Sequence, residues 1–275
     1  MALRITTLIE DSPGEDTSLE YEHGLSFFIE KDGHSILFDT GQSGAFARNA
    51  EVLGVDLGAL EKVALSHGHY DHTGGLLPLT GITRSFELYL KECFFQKKYA
   101  SKEGRYEFKG NAFNEEELER LGIPYRLVEE DCTELLPGVW LITNFPRVYA
   151  DEAANPRFVL EEAGVYRQDR FDDEVVLALE SPRGLVVLLG CSHPGVRNML
   201  DHVKAQLKRA IFAVLGGTHL VEADEKRTAD TVEYLLGEVS GPIGVSHCSG
   251  KAAMEQLKAA TPRYFHNKTG SVLEV

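Results

Sequence analysis

Short apolar runs alternate with amphipathic segments along the chain, and turn residues separate them. The runs within residues 1–10, 26–30 and 35–39 have the length and alternation of strands, and the turn Lys31-Asp-Gly-His34 joins the last two. A turn of that composition between two apolar runs predicts a β-hairpin. Later runs have the composition of buried strands, at 62–66, 87–90, 174–180, 184–189, 210–217 and 241–247.

Segments of helical composition follow most of these strands. They lie at 44–53, 114–121, 194–208, 224–236 and 249–259, with a further helix predicted from Lys91. The helix at 114–121 has a favourable N-cap in Asn114 and a glycine stop at Gly122. Strands followed by helices in both halves predict an α/β fold, an αββα four-layer sandwich of two mixed β-sheets flanked by helices. We expect one domain over residues 1–275.

Two segments depart from this alternation. Residues 97–109 carry five basic against two acidic side chains, interleaved with aromatic residues. They could cover a site and hold a phosphate or a carboxylate, although a solvated helix end and turn is the favoured interpretation. Residues 144–173 show little strand pattern and contain Arg147 and Arg157. Loops of that length in a compact domain are usually lids or binding loops, so we predict a lid at 144–173, with a disordered or oligomer-facing loop as the alternative.

The strand at 62–66 leads into a cluster of polar side chains, Ser66-His67-Gly68-His69-Tyr70-Asp71-His72. His67 and His69 are two residues apart at a strand end and project to the same side. Asp71 and His72 can turn back towards them. Neutral imidazoles and a carboxylate suit a borderline divalent cation such as zinc. Four such groups at this spacing favour two neighbouring metal ions, and a polar turn that is merely rich in histidine is the weaker interpretation.

Three later apolar runs also end in a histidine, at His193, His219 and His247. In open α/β sheets, ligands gather outside the carboxyl ends of the strands, so we expect these strand ends to converge. His193 and His247 are predicted metal ligands, because the first cluster is too small to complete two coordination shells. For His219, a capping or structural role is about as well supported as a chemical one.

The cluster His67-x-His69-x-Asp71-His72, with Leu37-Phe38-Asp39-Thr40-Gly41 upstream, resembles the metallo-β-lactamase superfamily. Further segments are similar to one subgroup, which is named for a 7,8-dihydropterin-6-methyl-4-(β-D-ribofuranosyl)aminobenzene-5′-phosphate synthase. These segments are Glu22-His23-Gly24-Leu25-Ser26, Gly190-Cys191-Ser192-His193-Pro194-Gly195, Gly216-Gly217-Thr218-His219-Leu220 and His247-Cys248-Ser249-Gly250. The fold of this superfamily hosts several hydrolytic reactions and redox chemistry, so the resemblance implies the fold and the metals but not the reaction.

The resemblance assigns ligands to two metal ions. It implies His67 and His69 for the first ion, with His193 expected to complete that site, and Asp71, His72 and His247 for the second.

This chain departs from the superfamily pattern in two places. Many relatives have a separate histidine motif between the first cluster and the later strand, and none is found here between His72 and His193. Many also have a bridging aspartate where this chain has Cys191. Cys191 would bind metal as a thiolate, or it simply packs as a small buried residue. A water molecule could instead form the bridge and leave the second ion loosely held.

Composition and charge exclude some classes of function. The chain has 275 residues, 43% of them hydrophobic and 26% charged, which is ordinary for a globular protein. A net charge of −15 argues against binding nucleic acid, which needs a basic surface. No apolar run has membrane length, and the first ten residues do not resemble a secretory signal. Four cysteines without CxxC spacing favour free thiols in the cytoplasm.

We expect a metal-dependent hydrolase that uses two divalent metal ions and an activated water on a small substrate, with a phosphorylated molecule as one option. Zinc is the first choice of metal, with manganese and iron as alternatives. Asp71, as a ligand, and His219, as a general acid or a donor to the substrate, are the predicted catalytic residues. His23, Arg147 and Arg157 are predicted to contact the substrate. Two alternatives stay open: the condensing synthase of the subgroup name, and a non-catalytic or iron redox member of the fold.

Overall fold

The computed structural model describes residues 2–275. The strands are β1 (Leu3–Ile9), β2 (Ser26–Lys31), β3 (His34–Phe38), β4 (Lys62–Ala64), β5 (Glu87–Lys91), β6 (Lys97–Lys102), β7 (Arg105–Phe108), β8 (Tyr125–Val128), β9 (Cys132–Leu136), β10 (Val139–Ile142), β11 (Phe158–Glu162), β12 (Val165–Gln168), β13 (Val176–Ser181), β14 (Gly184–Leu189), β15 (Ile211–Gly217), β16 (Ile243–Ser246) and β17 (Val272–Glu274). The helices are α1 (Ala45–Val52), α2 (Tyr70–Thr73), α3 (Leu76–Thr80), α4 (Glu115–Leu121), α5 (Val196–Leu207), α6 (Glu225–Glu238) and α7 (Lys251–Ala260).

Two large mixed sheets form the centre of the molecule. The first sheet has the strand order β17-β1-β2-β3-β4-β5-β8 and the second has the order β16-β15-β14-β13-β10-β9. In the first sheet the strands from β3 through β4 and β5 to β8 run parallel. In the second, β14, β15 and β16 run parallel. The histidines of interest follow the carboxyl ends of parallel strands. They are His67 after β4, His193 after β14, His219 after β15 and His247 after β16.

An apolar core lies between the two sheets. Phe27 and Ile29 of β2 face it, together with Leu188 of β14. Phe28, which lies between them in sequence, faces the other way and packs with residues of α1, α3 and α4. The outer face of the second sheet is covered in the same manner by α5, α6 and α7. Since successive side chains of a strand point to opposite faces and both faces are buried, these strands have nearly continuous apolar runs.

The predicted αββα sandwich is confirmed, and the predicted helix caps are observed in α4. The side chain of Asn114 accepts a hydrogen bond from the amide of Glu117, and Gly122 has the left-handed φ of 69° that suits a helix stop. The helix predicted from Lys91 is wrong, because a turn and the β6–β7 hairpin follow this residue. Residues 97–102 alternate between inward and outward side chains, which favours a strand.

A third sheet, with the order β12-β11-β6-β7, was not predicted from the sequence. We call these four strands the cap sheet. It brings the hairpin at 97–108 against a second hairpin at 158–168, so residues 144–173 contain more strand structure than their pattern indicated. Ala100 and Phe158 lie on its inner, buried face. Tyr106 and Tyr166 are exposed and stack on each other, with ring centroids 3.7 Å apart.

None of the helices within residues 2–275 is both long and apolar enough to span a membrane. The cysteines in the same range, Cys93, Cys132, Cys191 and Cys248, are all free thiols.

Candidate metal centre

All six histidine and aspartate residues predicted as metal ligands come together at one edge of the molecule. The loop after β4 and the start of α2 carry His67, His69, Asp71 and His72, while His193 follows β14 and His247 follows β16. Their donor atoms form overlapping groups in which every atom lies within 4.8 Å of the others. The two sheets thus contribute to a single candidate site, as the sequence predicted.

The first group consists of His67, His69 and His193. His67 Nε2 lies 3.0 Å from His69 Nδ1, and the ring of His193 is 5.0 Å from that of His67 and 5.1 Å from that of His69. His69 Nε2 and both ring nitrogens of His193 are buried without a hydrogen-bond partner. Buried nitrogens normally have a partner, so this arrangement fits a metal ion bound among the three rings.

The second group consists of Asp71, His72 and His247, with Cys191 beside them. Cys191 Sγ is 3.2 Å from His72 Nε2 and 3.4 Å from His247 Nε2. Asp71 Oδ2 is 3.7 Å and 3.5 Å from the same two nitrogens. Four ligands about 2.0–2.3 Å from a tetrahedral zinc ion are separated from one another by about 3.3–3.8 Å. Most of these separations fall in that range, so the four groups fit a metal ion.

Cys191 lies where the two groups meet. It also forms a candidate group with His67 and His72, whose rings are 4.4 Å apart. The thiol is therefore placed to bind the second ion or to bridge both, and its role as a ligand stays a prediction. Burial raises the pKa of Cys191 well above its ordinary value in the metal-free protein. A coordinated metal would favour the thiolate.

Outer carboxylates orient the histidine rings. Asp39 Oδ2 is 2.6 Å from His72 Nδ1, and Asp11 Oδ1 is 2.7 Å from His247 Nδ1. Ser66 Oγ lies 2.9 Å from His67 Nδ1. A partner at Nδ1 keeps the proton there and leaves the Nε2 lone pair for a metal, an arrangement typical of metal-binding histidines.

Burial sets the protonation of the first group. It lowers the pKa of His67, His69 and His193 well below the ordinary value, so these rings are neutral near pH 7. In the second group, burial would raise the pKa of Asp71, but the neighbouring histidines hold it well below its usual range. Burial likewise opposes the charge on His247, and hydrogen bonds to Asp11 and Asp71 outweigh it and raise its pKa. A metal ion would replace that proton.

Buried carboxylates hold the loops that carry the candidate ligands, and sequence reasoning missed them. Asp173 Oδ2 accepts from the amide of Gly68 at 2.8 Å. Its neighbour Glu174 accepts from the amides of Cys191 and His193 at 3.1 and 3.0 Å. Two consecutive residues therefore fix a loop of each large sheet. The only signal in the sequence is a run of three acidic residues, Asp172-Asp173-Glu174, before an apolar strand.

Lys98 attaches the cap sheet to this support. Its side chain is buried, and its Nζ donates to Asp169 Oδ2 at 2.8 Å and to Asp173 Oδ1 at 2.9 Å. Burial lowers the pKa of Lys98, but the two carboxylates outweigh that effect and raise it, so the lysine stays charged. Phe171, between the two carboxylates in sequence, stacks on the ring of His193 with centroids 3.6 Å apart.

A pocket of about 400 Å³ opens over the two groups. Its floor includes His69, His193 and His247, and the cap sheet contributes Phe158 to its wall. Basic side chains from Lys102, Lys109 and Arg157 line it as well. Arg157 Nη2 also pairs with Glu222 at 2.7 Å.

The predicted substrate residues differ in their placement. His23 lines the pocket with Nε2 3.3 Å from Asp71 Oδ2 and Nδ1 2.9 Å from Asp11 Oδ2. Arg147 is not among the described residues that line this pocket. Its guanidinium instead donates to the carbonyl of Arg170 and lies 3.7 Å from Asp172.

His219 lies beside the first group, with its ring centroid 4.2 Å from that of His193. Both of its ring nitrogens are buried without a hydrogen-bond partner. His219 and His247 have positive φ values of 47° and 54°. Residues other than glycine rarely adopt this backbone conformation, and the exceptions are concentrated at functional sites. The turns after β15 and β16 thus place both rings at the pocket despite backbone strain.

The geometry of Asp11 gives a test of the second group. We expect Asp11→Asn to lower the affinity for one metal equivalent about 10- to 100-fold, because the variant no longer holds the Nδ1 proton of His247 with a carboxylate. Metal titration in competition with a chelator measures this affinity. Asp16→Asn is the matched control, since Asp16 is an exposed carboxylate that accepts from Ser18. Equal affinities in wild type and Asp11→Asn would contradict the assignment.

The chain belongs to the metallo-β-lactamase superfamily, whose family model matches residues 20–143. Its sequence is 30% identical to the 7,8-dihydropterin-6-methyl-4-(β-D-ribofuranosyl)-aminobenzene-5′-phosphate synthase of Methanocaldococcus jannaschii, over 93% of this chain and 92% of that protein. A crystal structure of a metal-dependent hydrolase of the β-lactamase superfamily is similar, with a TM-score of 0.86 and 30% identity over 99% of both chains. Zinc-bound PqqB from Methylobacterium extorquens shares the fold, with a TM-score of 0.58 and 13% identity over 99% of this chain and 100% of that one.

Proposed function

We propose that this protein is a metal-dependent hydrolase that acts on a small anionic molecule at a site for two divalent cations. Zinc is the first choice for these cations. The observation that carries the proposal is the pair of adjoining donor groups below an open pocket, the first of which contains buried ring nitrogens without a partner. The similar crystal structure of a metal-dependent hydrolase supports it. The cytoplasm stays our proposed location, supported by the free thiols.

When bound, two such cations polarise a substrate and lower the pKa of water towards neutrality. The residues of the chain supply orientation and proton transfer. Asp71 contacts His72, His247 and His23 through one carboxylate oxygen, which fixes its position at the pocket floor. His219 has free ring nitrogens beside the first group and can donate a proton to a leaving group. Asp11 raises the pKa of His23, which favours a charged donor at the pocket rim.

The charges at the pocket favour an anionic substrate once metal is bound. Lys102, Lys109 and Arg157 line the pocket together with Asp11, Asp71 and Glu107, and Glu107 pairs with Lys109 at 2.6 Å. Two divalent cations at the donor groups would make this balanced lining positive, and a positive potential attracts an anion to the site. We also propose that residues 144–173 act as a lid, because Arg157 and Phe158 of this segment form part of the pocket wall.

A condensing synthase is the second candidate. It is supported by the 30% identity to the synthase of Methanocaldococcus jannaschii over 93% of this chain. Hydrolysis places an oxygen atom from solvent water in the product, whereas condensation does not. Turnover in ¹⁸O-labelled water followed by mass spectrometry therefore separates the two reactions. A panel of phosphodiester, thioester and lactone substrates tests hydrolysis, and the absence of turnover on all of them with metal-loaded protein would contradict that proposal.

Metal analysis separates these enzymes from the remaining alternatives. Protein purified without added salts should contain two equivalents of zinc or manganese per chain. Iron with visible absorbance would favour a redox function. Protein without metal, and with no affinity for it in a titration, would favour a sensing or binding role.

His219→Gln tests the proposed proton donor. We expect kcat to fall about 10²- to 10⁴-fold and one limb of the pH–rate profile to disappear, because glutamine keeps hydrogen-bonding capacity but cannot transfer a proton. Metal content should stay unchanged, since His219 belongs to neither donor group. An unchanged pH profile would show that His219 has a structural role instead.

A further inference from the structure

Buried nitrogen atoms without partners are concentrated in one region. Within residues 2–275, buried side-chain nitrogens that lack a hydrogen bond belong to His69, His193, His219 and Arg227, and the other unpartnered atoms are threonine hydroxyls. An unsatisfied buried donor or acceptor is costly to a folded protein. A concentration of them indicates a place where a bound group completes the hydrogen bonding.

Metal binding accounts for only part of this set. His69 and His193 belong to the first donor group, whereas His219 and Arg227 belong to none. Both line a second cavity of about 250 Å³, and His193 forms another part of its wall. His193 and His219 also line the main pocket. The second cavity therefore adjoins the metal centre directly.

Arg227 is the cationic group of this cavity. It lies in the first turn of α6, and its Nε is buried without a partner, while its Nη1 lies 3.4 Å from the carbonyl oxygen of Ala153. Burial lowers the pKa of Arg227, but a guanidinium remains charged in proteins near neutral pH. Its charge therefore faces the cavity with N–H donors still available.

The carboxylates around Arg227 are engaged elsewhere. Glu222, which also lines the cavity, accepts from Arg157 and from Asn155, each at 2.7 Å. Glu152 accepts from the backbone and side chain of Arg197, and Asp151 pairs with that same guanidinium. These residues lower the local potential, but none of them is hydrogen-bonded to the free Nε of Arg227.

We propose that Arg227 and His219 form an oxyanion subsite, which takes a phosphate or carboxylate group of the substrate beside the first metal group. The planar guanidinium presents parallel N–H donors that match the oxygens of either anion. The His219 ring supplies a further hydrogen bond. The substrate role rests on the proposed function, because the cavity is continuous with that site, whereas anion binding itself needs no turnover.

The test measures anion binding by isothermal titration calorimetry with inorganic phosphate and, in a separate arm, with acetate. It uses the full chain in metal-free and metal-loaded forms. We expect Arg227→Met to weaken binding of the preferred anion about 10- to 100-fold in both forms. Metal content should be unchanged. Arg120→Met is the matched control, because Arg120 is an exposed arginine paired with Glu117 on α4.

Arg227→Lys distinguishes the loss of the anion subsite from a folding defect. It keeps the charge but not the guanidinium fork, so its affinity should lie between those of wild type and Arg227→Met. Equal anion affinity in wild type and Arg227→Met, or no measurable binding of either anion by wild type, would overturn the proposal. Arg227-dependent binding in a protein that takes up no metal would refute the proposed function and leave the subsite standing.

Discussion

Replacing His69 by alanine should remove the metal from the first donor group and lower turnover by about 10³-fold or more. Three imidazole rings supply the donor atoms of this group, and two ligands bind a divalent cation far more weakly than three. A bound cation contributes several kcal/mol of transition-state stabilisation, which corresponds to a factor of that size. Elemental analysis and kcat/KM on the best substrate of the panel measure the two effects.

His34→Ala is the matched control for this variant. His34 is a partly exposed histidine that pairs with Glu61 at 2.9 Å, and it belongs to neither donor group. Added zinc should raise the melting temperature of wild type and of His34→Ala, because a ligand that binds the folded state stabilises it. The same addition should raise that of His69→Ala much less. Full turnover by His69→Ala would defeat the proposed function.

Lys98→Met should lower the free energy of unfolding by about 3–5 kcal/mol. The variant leaves Asp169 and Asp173 buried without their cation, and breaking a buried ion pair from one side is costly because the remaining charge is uncompensated. Urea denaturation followed by circular dichroism measures the change.

Lys97→Met on the same strand is the control for Lys98→Met. Lys97 is exposed and pairs with Glu161 at 3.4 Å, so its loss should cost less than about 1 kcal/mol. Adding Asp169→Asn to Lys98→Met should recover part of the lost stability by removing one unpaired charge. A Lys98→Met variant as stable as Lys97→Met would show that the buried pair contributes nothing.

The sequence predicted the convergence of His67, His193 and His247 because simple geometry connects them. His193 and His247 follow β14 and β16, which run parallel with β15 between them, and the carboxyl ends of parallel strands lie at one edge of a sheet. His67 follows β4 of the other sheet, and the packing of the two sheets brings the two edges together. Local signals also predicted the ends of α4, since caps and glycine stops act within a few residues. The family model covers residues 20–143, which leaves His193 and His247 outside it. Their placement depended on the strand pattern and on the subgroup resemblance.

The buried charged residues that hold the ligand loops and the cap sheet could not be predicted in the same way. Lys98 and Asp169 are 71 positions apart, and Gly68 and Asp173 are 105 apart. A charged residue in an isolated strand pattern looks the same whether it meets solvent or a buried partner. The cap sheet was missed for a related reason, because its two hairpins pair with each other across a long stretch of chain. Only the tertiary fold specifies such pairings.

The dipeptide Asp173-Glu174 limits the insertions and deletions that the chain can tolerate. Its two side chains lie just before β13 and hold one ligand loop of each sheet. An insertion or deletion of a single residue beside it would move at least one of these carboxylates away from the amides that it accepts from, and would so misplace a ligand loop. A segment that resembles an ordinary connecting loop should therefore tolerate length variation far less than the β6–β7 turn around Gly104, where an added side chain meets open space.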